Sequence, residues 1–297
     1  MFTRIQAQVL GALGVVVVLG ALTLFLVPAS EPAPAPVAQP APEVVDVPEE
    51  VPFVTHQVVG TSREGRTIEV YTYGTGTRDI LLVGGIHGGY EWNSVLLAYE
   101  MMDYFEAHPT AIPADVTVHI VPVLNPDGLA QVVSGEGRFT PDAVRTDVPL
   151  GTGRFNAAGV DLNRNFGCKW QPESSWRGTR VSAGTAAFSE PEAAALREYV
   201  LAHMPESVVF WHSKAGAVFA SECHEGVLPE TKTLMQTYAD AAGYKPILTF
   251  DAYPVTGDAE GWLASIGIPA ITVEFHTHES MDWAENLAGV TALLARP

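Results

Sequence analysis

Short apolar runs typical of buried strands alternate along this chain with longer amphipathic segments typical of helices. The runs and segments span residues 79–86, 93–105, 115–126, 189–203, 206–213, 229–244, 268–275 and 284–295, after an initial pair of strand-like segments at 56–62 and 66–74. This alternation predicts a single α/β domain with a mixed, mostly parallel central sheet and helices on both faces.

Two of the helical segments carry residues typical of helix starts. Asn93 precedes the first segment as a polar cap, and Ser189 with Glu192 has the spacing of a capping box. We therefore expect these residues to cap the N-termini of their helices.

The N-terminal region reads as a targeting segment and a tether. An uncharged apolar run extends from Val9 to Val27, which suits either a transmembrane anchor or a signal peptide. Residues 29–52 are rich in Pro, Ala and acidic residues and predict a disordered linker. We expect residues 1–28 to direct export and residues 53–297 to form the folded domain, either held at the membrane or secreted.

The charge balance limits the binding partners. The chain has 34 acidic and 16 basic residues, for a formal net charge of −18. Such a charge argues against electrostatic binding to nucleic acid or to anionic lipid. Membrane contact is therefore expected only through the N-terminal segment.

The chain has two cysteines, Cys168 and Cys223. In an exported domain, two thiols are expected to form a disulfide, although two buried free thiols are the alternative.

Polar residues follow several of the predicted strands. His87 comes after the run ending at Ile86, while His212 and Glu274 end two other strands; the polar turn "NPDG" follows a fourth. Ligands bind at the carboxyl ends of strands in sheets of this kind, so these groups should meet there. Glu91 lies four positions after His87. Two histidines and one carboxylate form the ligand set of a catalytic zinc, so with Glu91 as that carboxylate, Glu274 would remain free to accept a proton.

Three motifs in order along the chain resemble the zinc metallocarboxypeptidases of the carboxypeptidase A type. They are "NPDG" (125–128), "GRFNAAGVDLNRNFG" (153–167) and "ITVEF" (271–275). The resemblance covers nearly all of residues 55–297. It implies a zinc carboxypeptidase-like fold in a compact, bacterial-like member, with one Zn²⁺ per chain. It also implies a peptide substrate that has a free C-terminal carboxylate.

The resemblance implies a role for each matching residue. His87, Glu91 and His212 correspond to the zinc ligands, and Glu274 to the general base. Arg154 corresponds to the arginine that polarises the scissile carbonyl, and Asn163 with Arg164 to the pair that binds the terminal carboxylate. Tyr253 corresponds to the tyrosine that caps the substrate. Arg138 and Arg145 are alternatives for the role of Arg154, and Tyr253 has packing as its alternative.

One motif departs from the family pattern. The family has His-x-x-Glu, whereas here three residues separate His87 from Glu91, and Tyr90 occupies the usual position. We expect Gly88 and Gly89 to absorb the extra residue as a bulge and return Glu91 to the metal. Without that bulge, the metal would be weakly held and the domain would be a degenerate binder.

Specificity rests on Glu260, which the resemblance places at the base of the side-chain pocket. A carboxylate there favours a basic or diaminopimelate terminal residue, so a cell-wall stem peptide is a candidate substrate. The alternative is that Glu260 caps a short helix, where an acidic residue in the first turn is favoured. His276 and His278 are expected to be loop residues. Two other functions stay open, namely a zinc amidohydrolase acting on N-acyl amino acids and a non-catalytic envelope binding domain.

Overall fold

The computed structural model describes residues 53–296, so the predicted anchor (1–28) and linker (29–52) lie outside the described part of the chain. Within it, the strands are β1 (Val54–Thr61), β2 (Thr67–Tyr73), β3 (Arg78–Val83), β4 (Val116–Val121), β5 (Glu173–Trp176), β6 (Thr179–Ser182), β7 (Ser207–Ser213), β8 (Ala217–Ala220), β9 (Lys245–Ile247) and β10 (Ala270–Phe275). The α-helices are α1 (Trp92–Ala107), α2 (Pro126–Leu129), α3 (Pro191–His203), α4 (Pro229–Ala242), α5 (Ala259–Ser265) and α6 (Trp283–Leu294).

Eight strands form one sheet in the order β1-β2-β4-β3-β7-β10-β8-β9. The central strands β4, β3, β7 and β10 are mutually parallel. The pairs β1–β2, β2–β4 and β10–β8 are antiparallel, and β9 is parallel to β8. The sheet is therefore mixed around a parallel centre, as predicted. The carboxyl ends of the four central strands share one edge.

Helices cover both faces of this sheet. Apolar residues of α1, α4 and α6 pack on one face around the buried Trp211. Those of α3 and α5 pack on the other face around Leu81 and Phe210. Each central strand is thus largely buried on both sides, which explains why its sequence is predominantly apolar. The α/β class and the single domain are confirmed.

Both predicted helix caps are wrong. Helix α1 begins at Trp92, and the buried Asn93 donates instead to the carbonyls of Thr277 and Ser280, at 2.9 and 2.7 Å. Helix α3 begins at Pro191, and Ser189 Oγ donates to the Glu190 side chain rather than capping the helix. Asn93 is therefore satisfied by distant carbonyls, and Ser189 by the next residue in the chain, instead of by the N–H groups of their helices.

Two further elements have no counterpart in the predicted pattern. Strands β5 and β6 form a separate hairpin, and β8 with β9 extends the sheet beyond β10. Each of these strands is only three or four residues long. In the range 53–296, none of the helices is long and apolar enough to cross a bilayer.

Candidate active site

A cavity of about 500 Å³ opens at the carboxyl edge of the central strands. All nine residues predicted for metal binding, catalysis and substrate binding line it: His87, Glu91, Arg154, Asn163, Arg164, His212, Tyr253, Glu260 and Glu274. The strands bring them together because β3 leads into His87, while β7 and β10 hold His212 and Glu274 side by side in parallel register. The roles of these residues remain predictions.

The three predicted metal ligands converge. Nδ1 of His87 lies 3.0 Å from Oε1 of Glu91, and Nδ1 of His212 lies 2.9 Å from Oε2 of Glu91. The two Nδ1 atoms are 3.2 Å apart, and all three side chains are buried. Tyr90, which occupies the family's usual position, instead packs its ring against Trp176 at the cavity wall.

The glycine pair makes this convergence sterically feasible. Residues Gly88–Glu91 form a short 3-10 turn, and Gly88 has a φ of +45°. A Cβ atom on Gly88 would lie 2.8 Å from the carbonyl oxygens of Asn125 and Gly153. One on Gly89 would lie 2.5 Å from Val132. Only glycine fits this close approach, which returns Glu91 to the cluster as the sequence predicts.

The cluster fits a zinc ion. Two ligands on a tetrahedral zinc, at bond lengths of about 2.0–2.1 Å, lie roughly 3.3 Å apart, close to the separations of the three donor groups. Oε2 of Glu91 is buried, and within the described residues its 2.9 Å contact with Nδ1 of His212 does not have the geometry of a hydrogen bond. Burial would lower the pKa of His212, but Glu91 and Glu260 raise it to about 10, so the site stabilises positive charge.

Asp161 is a site residue that the sequence interpretation missed. Its Oδ2 accepts from Nε and Nη2 of Arg154 at 3.1 and 2.8 Å, while its Oδ1 lies 3.4 Å from Nε2 of His87. Burial opposes ionisation, but Arg154, Arg164 and His87 hold the pKa of Asp161 below its usual range. Asp161 thus orients one predicted ligand and one predicted catalytic arginine. Its place within "GVDLNRNF" was the available signal.

Arg154 is the arginine that reaches the cluster. Its Nη1 lies 3.2 Å from Nδ1 of His87 and 3.8 Å from Oε1 of Glu91, and its guanidinium stacks on Trp176 at 4.6 Å. The alternatives Arg138 and Arg145 pair with Asp103 and Asp147 and do not line the cavity.

Asn163 and Arg164 lie on the neighbouring wall. Oδ1 of Asn163 accepts from the Ala259 N–H at 2.8 Å, which leaves the amide N–H groups as donors. Arg164 donates through Nη1 to the carbonyl of Asn163 and through Nη2 to that of Ser175. Its buried Nε has no hydrogen-bond partner in the 53–296 segment. An anion is the natural partner for these unused donors.

Glu274 and Glu260 are two further carboxylates beside the ligand cluster. Enclosure by protein and the charge of Glu91 raise the pKa of Glu274 to about 7, a value suited to accepting and returning a proton near neutrality. Oε1 of Glu260 accepts from Thr272 Oγ1 at 2.8 Å and faces His212. Burial opposes ionisation of Glu260, but His212 lowers its pKa.

The cavity rim includes the predicted capping tyrosine and residues without a predicted role. Tyr253 is half-buried with its ring 4.8 Å from that of Phe250, so its packing alternative stays open. His278, predicted to be a loop residue, follows β10 but also lines the cavity, where its Nδ1 lies 2.8 Å from Ser213 Oγ. His276 pairs with Asp282 outside the cavity. Trp176 comes from the β5–β6 hairpin, which sequence periodicity did not indicate.

The predicted disulfide between Cys168 and Cys223 is present, with Cα atoms 6.2 Å apart. Cys168 lies four residues after Arg164, and Cys223 follows β8. The bond therefore joins two walls of the cavity that are separated by 55 positions in the chain.

Comparisons with known proteins identify the family of this chain. The sequence model of the zinc carboxypeptidase family matches residues 45–280. The chain therefore belongs to the zinc carboxypeptidase family, a family of zinc-dependent peptide hydrolases.

Individual relatives share only about a quarter of their aligned residues with this chain. The chain is 25% identical over 247 residues to gamma-D-glutamyl-L-diamino acid endopeptidase 1 of Lysinibacillus sphaericus, covering 75% of this chain but 61% of that protein. It is 26% identical over 242 residues to carboxypeptidase B of Astacus astacus, covering 78% and 75%. Its fold matches that of murein-tripeptide amidase from Escherichia coli O157, with a TM-score of 0.57, 23% identity and coverage of 82% and 92%.

Proposed function

We propose that this chain is a zinc-dependent carboxypeptidase that removes a C-terminal residue from peptides. The observation that carries the proposal is the single cavity in which the donors of His87, Glu91 and His212 converge beside Glu274 and two arginines. A zinc held by these three ligands supplies Lewis acidity toward a carbonyl oxygen and a water molecule.

The chain's own residues perform the remaining steps. Glu274 accepts a proton from the attacking water and passes it to the leaving amine nitrogen. Arg154, held in place by Asp161, donates hydrogen bonds to the carbonyl oxygen as negative charge develops on it. Arg164 and Asn163 bind the substrate's terminal carboxylate, which restricts cleavage to the last peptide bond.

The charge at the rim of the cavity favours a substrate with more than one carboxylate. Five basic residues line the cavity, and five carboxylates balance them: Arg154, Arg164, Lys169, Arg177 and Lys214 against Glu91, Glu222, Asp258, Glu260 and Glu274. All of these carboxylates are buried or partly buried, whereas the exposed charged residues of the lining, Lys169, Arg177 and Lys214, are all cations. Exposed cations at the rim attract additional anionic groups of a substrate.

A cell-wall stem peptide has the matching chemistry. A γ-linked D-glutamate keeps its α-carboxylate free, and diaminopimelate adds two carboxylates and an amine that could meet Glu260. The similarity to a gamma-D-glutamyl-L-diamino acid endopeptidase supports this substrate class. We propose that the γ-D-glutamyl–diaminopimelate bond is the one cleaved.

A peptide panel tests the proposal. The zinc-loaded full-length chain would be given L-Ala-γ-D-Glu-diaminopimelate, its lysine analogue, unmodified peptides ending in Arg or Phe, and N-acetyl amino acids, with products followed by mass. We expect release of the terminal residue, fastest for diaminopimelate, and no release by Glu274→Gln at unchanged zinc content. The matched control is Glu279→Gln, an exposed carboxylate outside the cavity. Hydrolysis of N-acetyl amino acids alone would instead establish a deacylase, and zinc binding without any hydrolysis would establish a binding domain.

Variants of the rim test the charge argument separately. Arg177→Gln and Lys214→Gln should lower kcat/KM for the γ-D-glutamyl substrate more than for a peptide with one carboxylate. Arg180→Gln is the control, because Arg180 is on the same hairpin but outside the cavity. Equal losses on both substrates would contradict the role of the rim cations.

We further propose that the domain works outside the cytoplasm, with residues 1–28 as anchor or cleaved signal. The disulfide supports an oxidising compartment. Mass spectrometry of the N-terminus of the mature protein would distinguish a retained from a removed segment.

A further inference from the structure

A second group of metal-ligand side chains lies at the opposite end of the sheet from the candidate active site. Asp79 is the second residue of β3, and His203 is the last residue of α3. His119 on β4 pairs with Leu81, two residues after Asp79, and so lies on the same face of the sheet. From Asp79 to Val83, β3 alone spans about 13 Å before the chain turns toward His87.

The donor atoms of this group are close together. One ligand atom from each of Asp79, His119 and His203 lies within 4.8 Å of the others. Nε2 of His119 is 3.5 Å from Oδ1 of Asp79, and the two imidazole rings have centroids 5.2 Å apart. The carbonyl of Asp79 also accepts from the Glu206 N–H at 2.8 Å, which holds the segment after α3 against β3.

Nε2 of His119 faces Asp79 and could act as a metal ligand. The side chain is 4% exposed, and its Nε2 has no hydrogen-bond partner in the described region of the chain. Buried polar atoms are almost always paired, so this nitrogen calls for a partner.

The other nitrogen of His119 is held as in metal-binding histidines. Nδ1 lies 2.8 Å from the Tyr199 hydroxyl and 3.1 Å from Thr72 Oγ1. With its proton on Nδ1, the ring donates to a hydroxyl oxygen and presents the Nε2 lone pair to the space beside Asp79 and His203. An outer hydrogen bond of this kind fixes the tautomer and orientation of a ligating histidine.

We propose that Asp79, His119 and His203 form a second zinc site, independent of the proposed function. Two imidazoles and a carboxylate suit Zn²⁺, and the 3.5 Å separation of the Asp79 and His119 donors approaches the roughly 3.3 Å between two ligands on tetrahedral zinc. The exposed His203 and the partly exposed Asp79 give the ion a path from solvent, and water completes the coordination. The bound ion ties the end of α3 to β3 and β4.

Zinc stoichiometry tests this site. The full-length chain would be equilibrated with Zn²⁺, freed of unbound metal, and analysed by mass spectrometry of the element. We expect two zinc ions per chain in the wild type, one in His203→Ala, one in Asp79→Asn and one in His87→Ala. The exposed His224→Ala serves as control and should retain two. One ion in the wild type that only His87→Ala removes, or two ions retained by His203→Ala, would overturn the proposal.

Thermal unfolding gives a second readout that does not depend on activity. In the His87→Ala background, zinc should raise Tm, because a ligand that binds only the folded state stabilises it. Adding His203→Ala should abolish this rise, whereas adding His224→Ala should preserve it. A rise in Tm that survives His203→Ala would contradict the site. If the wild type holds one ion that His203→Ala removes and His87→Ala keeps, this site stands and the proposed catalytic metal fails.

Discussion

Oε1 of Glu260 lies 3.4 Å from Nε2 of His212. Glu260 lies in the first turn of α5, but Asp258 is the N-cap of that helix and accepts from the Gly261 N–H at 2.7 Å. Glu260 instead lies beside His212, a predicted metal ligand, and also lines the cavity. It can therefore affect metal binding as well as substrate choice.

Glu260→Gln should weaken zinc binding at the candidate active site. The loss of a carboxylate behind a ligating histidine typically lowers metal affinity or activity about 10- to 100-fold. The measurement is the free zinc concentration that restores half-maximal activity to chelated protein. Glu222→Gln, which changes a carboxylate of the same cavity, is the control. Equal zinc requirements in both variants would show that Glu260 does not support His212.

Asp161→Asn should lower kcat/KM about 10- to 100-fold, because it weakens the support of both Arg154 and His87. Asp147→Asn, which alters a surface pair with Arg145, should have no such effect. Activity retained by the first variant would mean that Arg154 is positioned by its packing on Trp176 alone.

Gly88→Ala should disrupt the ligand cluster. An alanine in this left-handed conformation costs about 1–3 kcal/mol, and its Cβ would in addition overlap the carbonyls of Asn125 and Gly153. Gly243→Ala is a matched control, since Gly243 has a φ of +74° but open space around it. We expect zinc and activity to be lost in the first variant alone, at comparable folded fractions. Similar zinc content in both would argue against a need for the close approach.

Glu190→Gln should change the acid stability of the fold. Burial opposes ionisation, but hydrogen bonds from Arg63, Asn156 and Ser189 lower the pKa of Glu190 below 4.5. A lowered folded pKa gives stability that is present above the unfolded value and lost as the pH falls through the folded one. Urea unfolding should therefore show wild type more stable than the variant near neutrality, with the difference shrinking below about pH 4.5. Glu198→Gln, at an exposed site, should follow wild type at every pH.

Replacing Cys168 and Cys223 by serine should reduce the free energy of unfolding by roughly 4 kcal/mol, given a closed loop of 55 residues. Urea unfolding of the variant and of reduced wild type would measure this loss. An unchanged midpoint in both would show that the bond contributes nothing to stability.

The sequence contained enough information for the central sheet and for nine of the residues that line the cavity. Continuous apolar runs identify strands buried on both faces, and parallel strands necessarily deliver the residues at their carboxyl ends to one edge. The polar residues at the ends of β3, β7 and β10 could therefore be assigned to one site from the sequence alone. The long "GVDLNRNF" motif placed Arg164 with them.

Features set by tertiary contact could not be found in this way. Asn93 has the residue type of a cap, but its amide is satisfied by carbonyls nearly two hundred positions away. Strands β5 and β6 are too short for their periodicity to be distinguished from a loop, so Trp176 was missed. The Asp79, His119 and His203 group joins three distant segments whose sequences carry no shared motif.

The turn from Gly88 to Glu91 also bears on how relatives of this chain can be found. Glu91, which supplies the oxygen donor, lies one position later than the glutamate of the usual motif. The backbone turn brings its carboxylate back to within 3.0 Å of His87. A search pattern that demands two residues between the histidine and the glutamate would pass over this chain, although its donor atoms converge. Patterns that allow a third residue when two glycines follow the histidine would recover such chains.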